Sequence, residues 1–257
     1  MLDVYNLSKS IDKKPFLSEL TFQVAAGESL ILLGRNGAGK TLLLNILATL
    51  VEPTSGSIFI SGIDAFSNLK RVRPHIGYIP VDFEGYPELS VVDYLQFFAA
   101  AYKLEKQERT AAIDAVIELM DIPHLRDMKI GALSTGERQR LLFAKTFLHE
   151  PQLWLLDEPL APLDPRGQIE MVELFNELQM MGKTLVIATN RLEDVSKLCG
   201  IGTETEPNTN LLGILNDGKF AVFNTIRQIQ YEFKVKNKSE NLKPNWLAEL
   251  YLEVTKS

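Results

Sequence analysis

Cysteine is almost absent from this 257-residue chain; Cys199 is the only one. No internal disulfide can form, and His75, His124 and His149 are scattered, so neither a disulfide framework nor a Cys/His zinc site is available. A reducing compartment is expected. Long hydrophobic runs are also missing. The longest apolar stretches, at 41–51 and 153–156, fall far short of the roughly 20 residues that cross a bilayer as a helix. Any membrane role is therefore expected to come through a partner. The opening MLDVYNLSKSIDKK lacks the basic-then-apolar pattern of a secretory signal, so the chain is expected to stay where it is made. Positive charge is not in excess: 27 Lys+Arg against 33 Asp+Glu give a net charge of −6. Without a basic stripe, no nucleic-acid partner is expected. No internal repeat or low-complexity segment occurs.

What is present is an ordinary globular composition, 46% apolar and 23% charged. At roughly 100–200 residues per domain, the length suits one large domain or two small ones. Short apolar runs bounded by turns predict strands at 2–5, 17–24 and 29–33, the last running into a glycine-rich turn and then a helix over 40–51. Between 87 and 133 the period turns helical, as in 91–103 and 107–119, which predicts an all-helical inset. Strands return at 153–156 and 184–188, with helices over 167–179 and 191–198, so a parallel α/β core resumes. Residues 201–210 read as a loop, and 211–216 with 219–223 flank Asp217-Gly218 as a hairpin. The tail has a basic polar stretch, 234–243, followed by a helix over 246–254, read as a docking helix that closes the domain.

Three groups of residues carry chemistry. Gly34-Arg35-Asn36-Gly37-Ala38-Gly39-Lys40-Thr41 fits G-x-x-x-x-G-K-[ST], a phosphate-binding loop between strand and helix, with Leu42 beside it in the opening helix. Gly37 and Gly39 allow left-handed backbone, successive N–H groups form an anion nest, and Lys40 adds a point charge. The Thr41 hydroxyl suits Mg²⁺, which takes oxygen ligands. In the second group, an apolar run, 153–156, ends in Asp157 and Glu158, placing two carboxylates at the carboxyl end of a buried strand, where ligands of such sheets bind. Asp157 is expected to hold Mg²⁺ through water, and Glu158 to polarise a water for attack on a γ-phosphate.

The third group is Leu133-Ser134-Thr135-Gly136-Glu137, which resembles the signature motif of the ATP-binding-cassette ATPases, whose commoner form is LSGGQ. The order also matches that family: phosphate loop, helical inset, signature, helix, acidic strand, then Leu163-Asp164. By this resemblance the chain is a P-loop NTPase nucleotide-binding domain of α/β class. It pairs a parallel core sheet with an antiparallel subdomain over 1–223, has a helical inset at about 82–150, and carries a tail over 224–257. The resemblance implies ATP and Mg²⁺ as cofactors and Ser134, Thr135, Gly136, Glu137 and Asp164 as contacts to the ATP of an opposite cassette, so that two cassettes sandwich two ATP. It also implies an integral-membrane transporter subunit as partner, a second cassette in a homodimer or heterodimer, and a place on the cytoplasmic face of the membrane. The tail is similar to that of subunits serving small exporters, which points to export. Ser134 with Glu137 equally spells a helix capping box.

Three positions depart from the family pattern. Val81 stands where a Gln usually follows Pro80, and it offers no oxygen to metal or water; neighbouring Asp82 is a weak substitute. Asn190 occupies the switch-histidine position at the catalytic end, where it can donate a hydrogen bond but carry no charge. Ile11 replaces the aromatic that stacks on adenine in relatives. Slow hydrolysis is therefore expected. A low-turnover regulatory subunit and a soluble ATP-driven clamp are the alternatives.

Overall fold

The computed structural model describes residues 1–81, 83, 85–200, 210–237, 242–243 and 245–256. In chain order, β1 (Leu2–Ile11), β2 (Lys14–Val24) and β3 (Ser29–Gly34) lead into α1 (Lys40–Leu47), and β4 (Ser55–Ile60), β5 (Ile63–Asp64), α2 (Leu69–Val72) and β6 (Ile76–Ile79) follow. Next come α3 (Val91–Ala101), α4 (Arg109–Leu119) and α5 (Thr135–Phe147), then β7 (Leu153–Asp157), α6 (Pro165–Met180), β8 (Thr184–Thr189) and α7 (Leu192–Leu198). The hairpin β9 (Leu211–Asn216) and β10 (Lys219–Thr225) precedes α8 (Ile226–Lys236) and α9 (Trp246–Val254).

One sheet is antiparallel, in the order β2-β1-β4-β5. The other runs β10-β9-β3-β8-β7-β6, parallel from β9 to β6 with β10 antiparallel at the edge. The expected α/β class, with a parallel core and an antiparallel subdomain, is observed. Strands buried on both faces read as continuous apolar runs rather than alternating ones. In β3, Leu30 and Leu32 join the layer between the two sheets, whereas Ile31 and Leu33 join the layer under the helices. Leu153 and Leu155 of β7 divide from Trp154 and Leu156 in the same way. Helix α1 sits between the sheets with Leu43, Leu44, Ile46 and Leu47 buried.

Register brings the chemistry to one edge. Leu33 pairs with Thr189 and Asp157 with Ala188, so the phosphate loop, the acidic pair and the end of β8 emerge together at the carboxyl ends of adjacent parallel strands.

Some boundaries differ from expectation. The helix expected over 40–51 stops at Leu47, because Thr49 takes a left-handed φ of 59° and turns the chain. Helix α8 is an addition to the expected elements. Its Ile226, Ile229 and Phe233 are buried on one face, but the surrounding Lys, Gln and Asn residues hide that period in the sequence. Together with Trp246 and Leu247 of α9 they join the helical-side core, and the Phe233 and Trp246 rings lie 6.0 Å apart. The expected loop at 201–210 lies outside the described residues apart from Asn210; of the expected basic stretch at 234–243, residues 234–236 instead form the end of α8, and 238–241 lie outside the described residues. The expected turn is present: Asp217 and Gly218 have φ of 46° and 75°, as a type I′ hairpin requires. It reaches the phosphate-loop side, where Ser18 N donates to Gly218 O at 2.9 Å. Among the described residues, no helix is long and apolar enough to cross a membrane.

Candidate functional site

The phosphate loop has the backbone its glycines predict. Gly37 and Gly39 have φ of 81° and 104°, and Gly39 caps α1 in the left-handed conformation. A Cβ on Gly39 would meet Leu17 Cδ2 at 2.7 Å, whereas one on Gly37 would meet nothing within 4 Å, so the loop is tight on its protein side and open on the other. Lys40 folds back into this loop. Its Nζ donates to Gly34 O at 2.9 Å and lies 3.8 Å from Glu158 Oε1.

Burial lowers the Lys40 pKa, opposed by the Glu158 and Asp157 charges. Burial raises Glu158, opposed first by Lys40. Each member of the pair is pushed toward its neutral form because the site is desolvated. Glu158 has a φ of 49°, a rare conformation for a residue with a side chain, and its N donates to Ala188 O at 2.9 Å. Its Oε2 lies 3.2 Å from the Thr189 hydroxyl, which also lies 3.0 Å from Asp194 Oδ2 and donates to one of them at a time. Thr189 is therefore shared between Glu158 and Asp194, a contact to Glu158 that no sequence motif marks.

Asp157 is buried beneath the loop, and neither carboxylate oxygen has a hydrogen-bond partner of good geometry. Burial raises its pKa, opposed by the Thr41 hydroxyl and Lys40. An unmade buried acceptor pair next to a hydroxyl is a fit for Mg²⁺. Among the described residues, no three His, Cys, Asp or Glu side chains come together as a cage. Such an ion would rely on phosphate oxygens and water, as Mg²⁺ commonly does.

Lys40 and Glu158 line a cleft of about 560 Å³ with Asn36, Gly37, Gly39, Thr41, Leu42, Val81 and Asn190, whereas Asp157 is buried and does not line it. Asn190 Nδ2 donates to Asn36 Oδ1 at 2.7 Å, so the switch position reaches the phosphate loop although it lacks a histidine. Val81 is in the cleft, and Asp82 lies outside the described residues. Gly34, Arg35 and Ala38 belong to the loop but do not line the cleft.

At the other end of the cleft Ile11 is joined by Phe16, an aromatic that no motif singles out. Phe16 is 43% exposed, while the Gly218 turn packs against its carbonyl. Its backbone is held by that turn, and its ring lines the cleft. Base–aromatic stacking contributes about 1–3 kcal/mol. Phe16→Ala should therefore raise the Kd for MgATP about tenfold in calorimetric titration, and Phe16→Tyr should leave it near wild type.

The signature residues stand apart. Ser134, Thr135, Gly136, Glu137 and Asp164 do not line the cleft. Ser134 caps α5 in a complete capping box: its Oγ accepts from Glu137 N at 3.3 Å, and Glu137 Oε2 accepts from Ser134 N at 2.7 Å. The backbone N–H of Ser134 is the main reason the Glu137 pKa is lowered. Asp164 caps α6 by accepting from Gly167 N at 2.8 Å. A Cβ on Gly136 would sit 3.4 Å from Pro162 O, so the signature packs beside the segment leading to Asp164. The two helix starts share one patch of surface, away from the chain's own phosphate loop.

Comparison with known proteins agrees with this geometry. The family described as ABC transporter matches residues 17–161. The chain is 33% identical to a Nod factor export ATP-binding protein I of Rhizobium meliloti over 199 residues, covering 77% of this chain and 59% of that protein. It is 34% identical to an uncharacterized ABC transporter ATP-binding protein of Methanocaldococcus jannaschii over 198 residues, covering 77% and 71% respectively. Among solved structures, the ATP-binding subunit of an ABC transporter aligns with a TM-score of 0.84 at 28% identity over 100% of both chains. The matched region thus spans less than two thirds of the Rhizobium protein's length. The family match, the phosphate loop and the acidic pair at the sheet edge agree: the chain belongs to the ABC transporter family, as an ATP-binding cassette.

Proposed function

We propose that this chain is the MgATP-hydrolysing subunit of a transporter whose membrane-spanning part is a separate chain. The observation that carries the reading is the convergence of Lys40, Thr41, Asp157, Glu158 and Asn190 at one edge of the parallel sheet. Lys40 and the loop N–H groups bind the β- and γ-phosphates. Thr41 and Asp157 would hold Mg²⁺, which neutralises charge on the phosphates. Glu158 accepts the proton of the attacking water as its oxygen bonds the γ-phosphorus and the bond to the ADP oxygen breaks. A carboxyl raised by burial suits that role, since a base works best near the operating pH. Phe16 supports the base.

The cassette spans 1–223 with its tail over 224–257, and it sits on the cytoplasmic face of the membrane against its partner. Ser134, Gly136 and Asp164, remote from their own cleft, complete the pocket of a second cassette, either another copy or a related chain. Export is the favoured direction because the Rhizobium relative is named for it.

Turnover is slow. Asn190 can donate a hydrogen bond but carries no charge, so it stabilises the charge developing on the γ-phosphate less than a protonated histidine would. Asn190→His should raise steady-state phosphate release several-fold; an unchanged rate would clear Asn190 of any part in the slowness.

Affinity purification from gently solubilised native membranes tests the transporter reading. An integral-membrane chain should accompany the cassette in near-equal amount. Recovery only in the soluble fraction, with ribosomal or DNA-associated chains or with none, would remove the transport role.

A further inference from the structure

Between β7 and α6 the chain crosses from Glu158 to Asp164, that is, from the proposed base to a residue turned toward a second cassette. This crossing is neither helix nor strand. Pro159 and Pro162 offer no N–H, so it cannot hold itself together as a helical turn would. Ala161 N donates to Glu158 O at 3.1 Å, and Leu163 N to Leu160 O at 3.3 Å. The Leu160 and Leu163 side chains are buried, which takes the carbonyls at the same positions out of water. Carbonyls buried in that way need partners.

One side chain meets both. Gln168, 6% exposed on α6, donates from Nε2 to Leu160 O at 3.0 Å and to Leu163 O at 3.1 Å, and its Oε1 accepts from Lys197 Nζ at 2.5 Å. The amide is fully engaged, with two donated bonds and one accepted. The reverse orientation would set its oxygen against two carbonyl oxygens and its NH₂ against an ammonium, so the three partners fix which way it faces. Lys197 lies in the last turn of α7, the helix that follows Asn190. A single amide thus ties α6, α7 and the crossing segment together.

Glu158 needs such a tie. Its φ of 49° is left-handed, and a residue with a side chain stays there only where its surroundings over-determine it. On one side its N donates to Ala188 O of β8 at 2.9 Å. On the other, its carbonyl is held by Ala161, inside the turn whose Leu160 and Leu163 carbonyls Gln168 holds. Gln168 itself does not line the nucleotide cleft.

We propose that Gln168, oriented by Lys197, is a positioning residue for hydrolysis: it fixes the turn that aims Glu158, without touching the nucleotide. This rests on Glu158 being the general base. A tether that served stability alone would leave the chemical step unchanged in the folded variant. A positioning residue lowers that step at unchanged affinity, because the phosphate loop is carried by β3 and α1 instead. Misplacing a reacting group by about 1 Å costs up to about 10²-fold in rate.

The test compares steady-state phosphate release at saturating MgATP with the calorimetric Kd for MgATP, in wild type, Gln168→Glu, Glu158→Gln and the double variant. Gln168→Glu keeps the side-chain length and the bond to Lys197, but it turns two donated bonds into contacts between oxygens of like charge. Its kcat should fall about 10- to 100-fold, with Kd within about twofold of wild type. Added to Glu158→Gln, it should change the residual rate by less than about twofold, because the base it aims is already gone. Lys197→Met, at an exposed position, frees the amide to turn and should lower kcat a few-fold at the same Kd. It decides the matter if Gln168→Glu fails to fold. A wild-type kcat in either variant overturns the proposal, as do losses that multiply in the double variant or a Kd that rises in step with the loss of kcat. Turnover retained in Glu158→Gln would instead remove the reading of Glu158 as the base, and this inference with it.

Discussion

Glu158→Gln should separate ATP binding from ATP turnover. Removing a positioned general base costs about 10²–10⁴-fold in rate, so phosphate release should fall by at least two orders of magnitude. Binding should move the other way. Lys40 Nζ now lies 3.8 Å from Glu158 Oε1, and the neutral amide releases that ammonium to the phosphates, so the Kd for MgATP should fall. The fold should be unaffected, since Gln can keep the Thr189 contact and tolerates the φ of 49° as well as Glu does. Phosphate assay and calorimetry on the same preparation read both effects. A variant that retains turnover would show that Glu158 is not the base.

Asp157→Asn should change activity and stability in opposite directions. Under the proposed role of Asp157, loss of the carboxylate beside Thr41 would remove the anionic group that holds Mg²⁺, so metal-dependent phosphate release should collapse. The same change removes a buried charge: an amide there still lacks hydrogen-bond partners but has no charge to desolvate. An unpartnered buried group costs about 1–3 kcal/mol, more when it is charged, and each kcal/mol moves Tm by about 2–4 °C in a chain of this size. The ligand-free variant should therefore melt a few degrees higher at neutral pH. The sign with pH follows from the raised carboxyl. Between the unfolded and folded values of its pKa the native chain keeps a proton that the unfolded chain has lost, so wild-type stability falls as pH rises through that window. The Tm advantage of Asn should thus open as pH rises through it and close in acid below it. A variant that melts lower at neutral pH would mean that Asp157 is stabilised by partners in the apoprotein.

These two carboxylates were legible in the sequence because an apolar run ending in acids, downstream of a phosphate loop, is the pattern of a buried strand that delivers carboxylates to the phosphates. The parallel core was legible for a similar reason: strands such as β3 and β7 are buried on both faces and stand out as unbroken apolar runs. The helix α8 was not. Three apolar residues on one face of a polar segment carry too little period, and its burial comes from packing against α9 and the core. Phe16 is hidden for a different reason. Its value lies in where the turn at Gly218 holds it, and that turn is some 200 residues away in sequence. Thr189 is similar: an ordinary strand end comes within reach of Glu158 only when β8 is laid beside β7. The signature segment shows the converse. Its letters fit both a capping box and a contact to another cassette, and the capping box that forms in the chain is compatible with either role.

The central claim is that this cleft turns over MgATP, and it is tested most directly by steady-state phosphate release from the purified chain at saturating ATP, with Mg²⁺ or with chelator, beside Lys40→Ala. The account predicts slow, linear release that requires Mg²⁺ and is absent from Lys40→Ala. Release no greater than that of Lys40→Ala, from a chain shown by calorimetry to have bound MgATP, would contradict it.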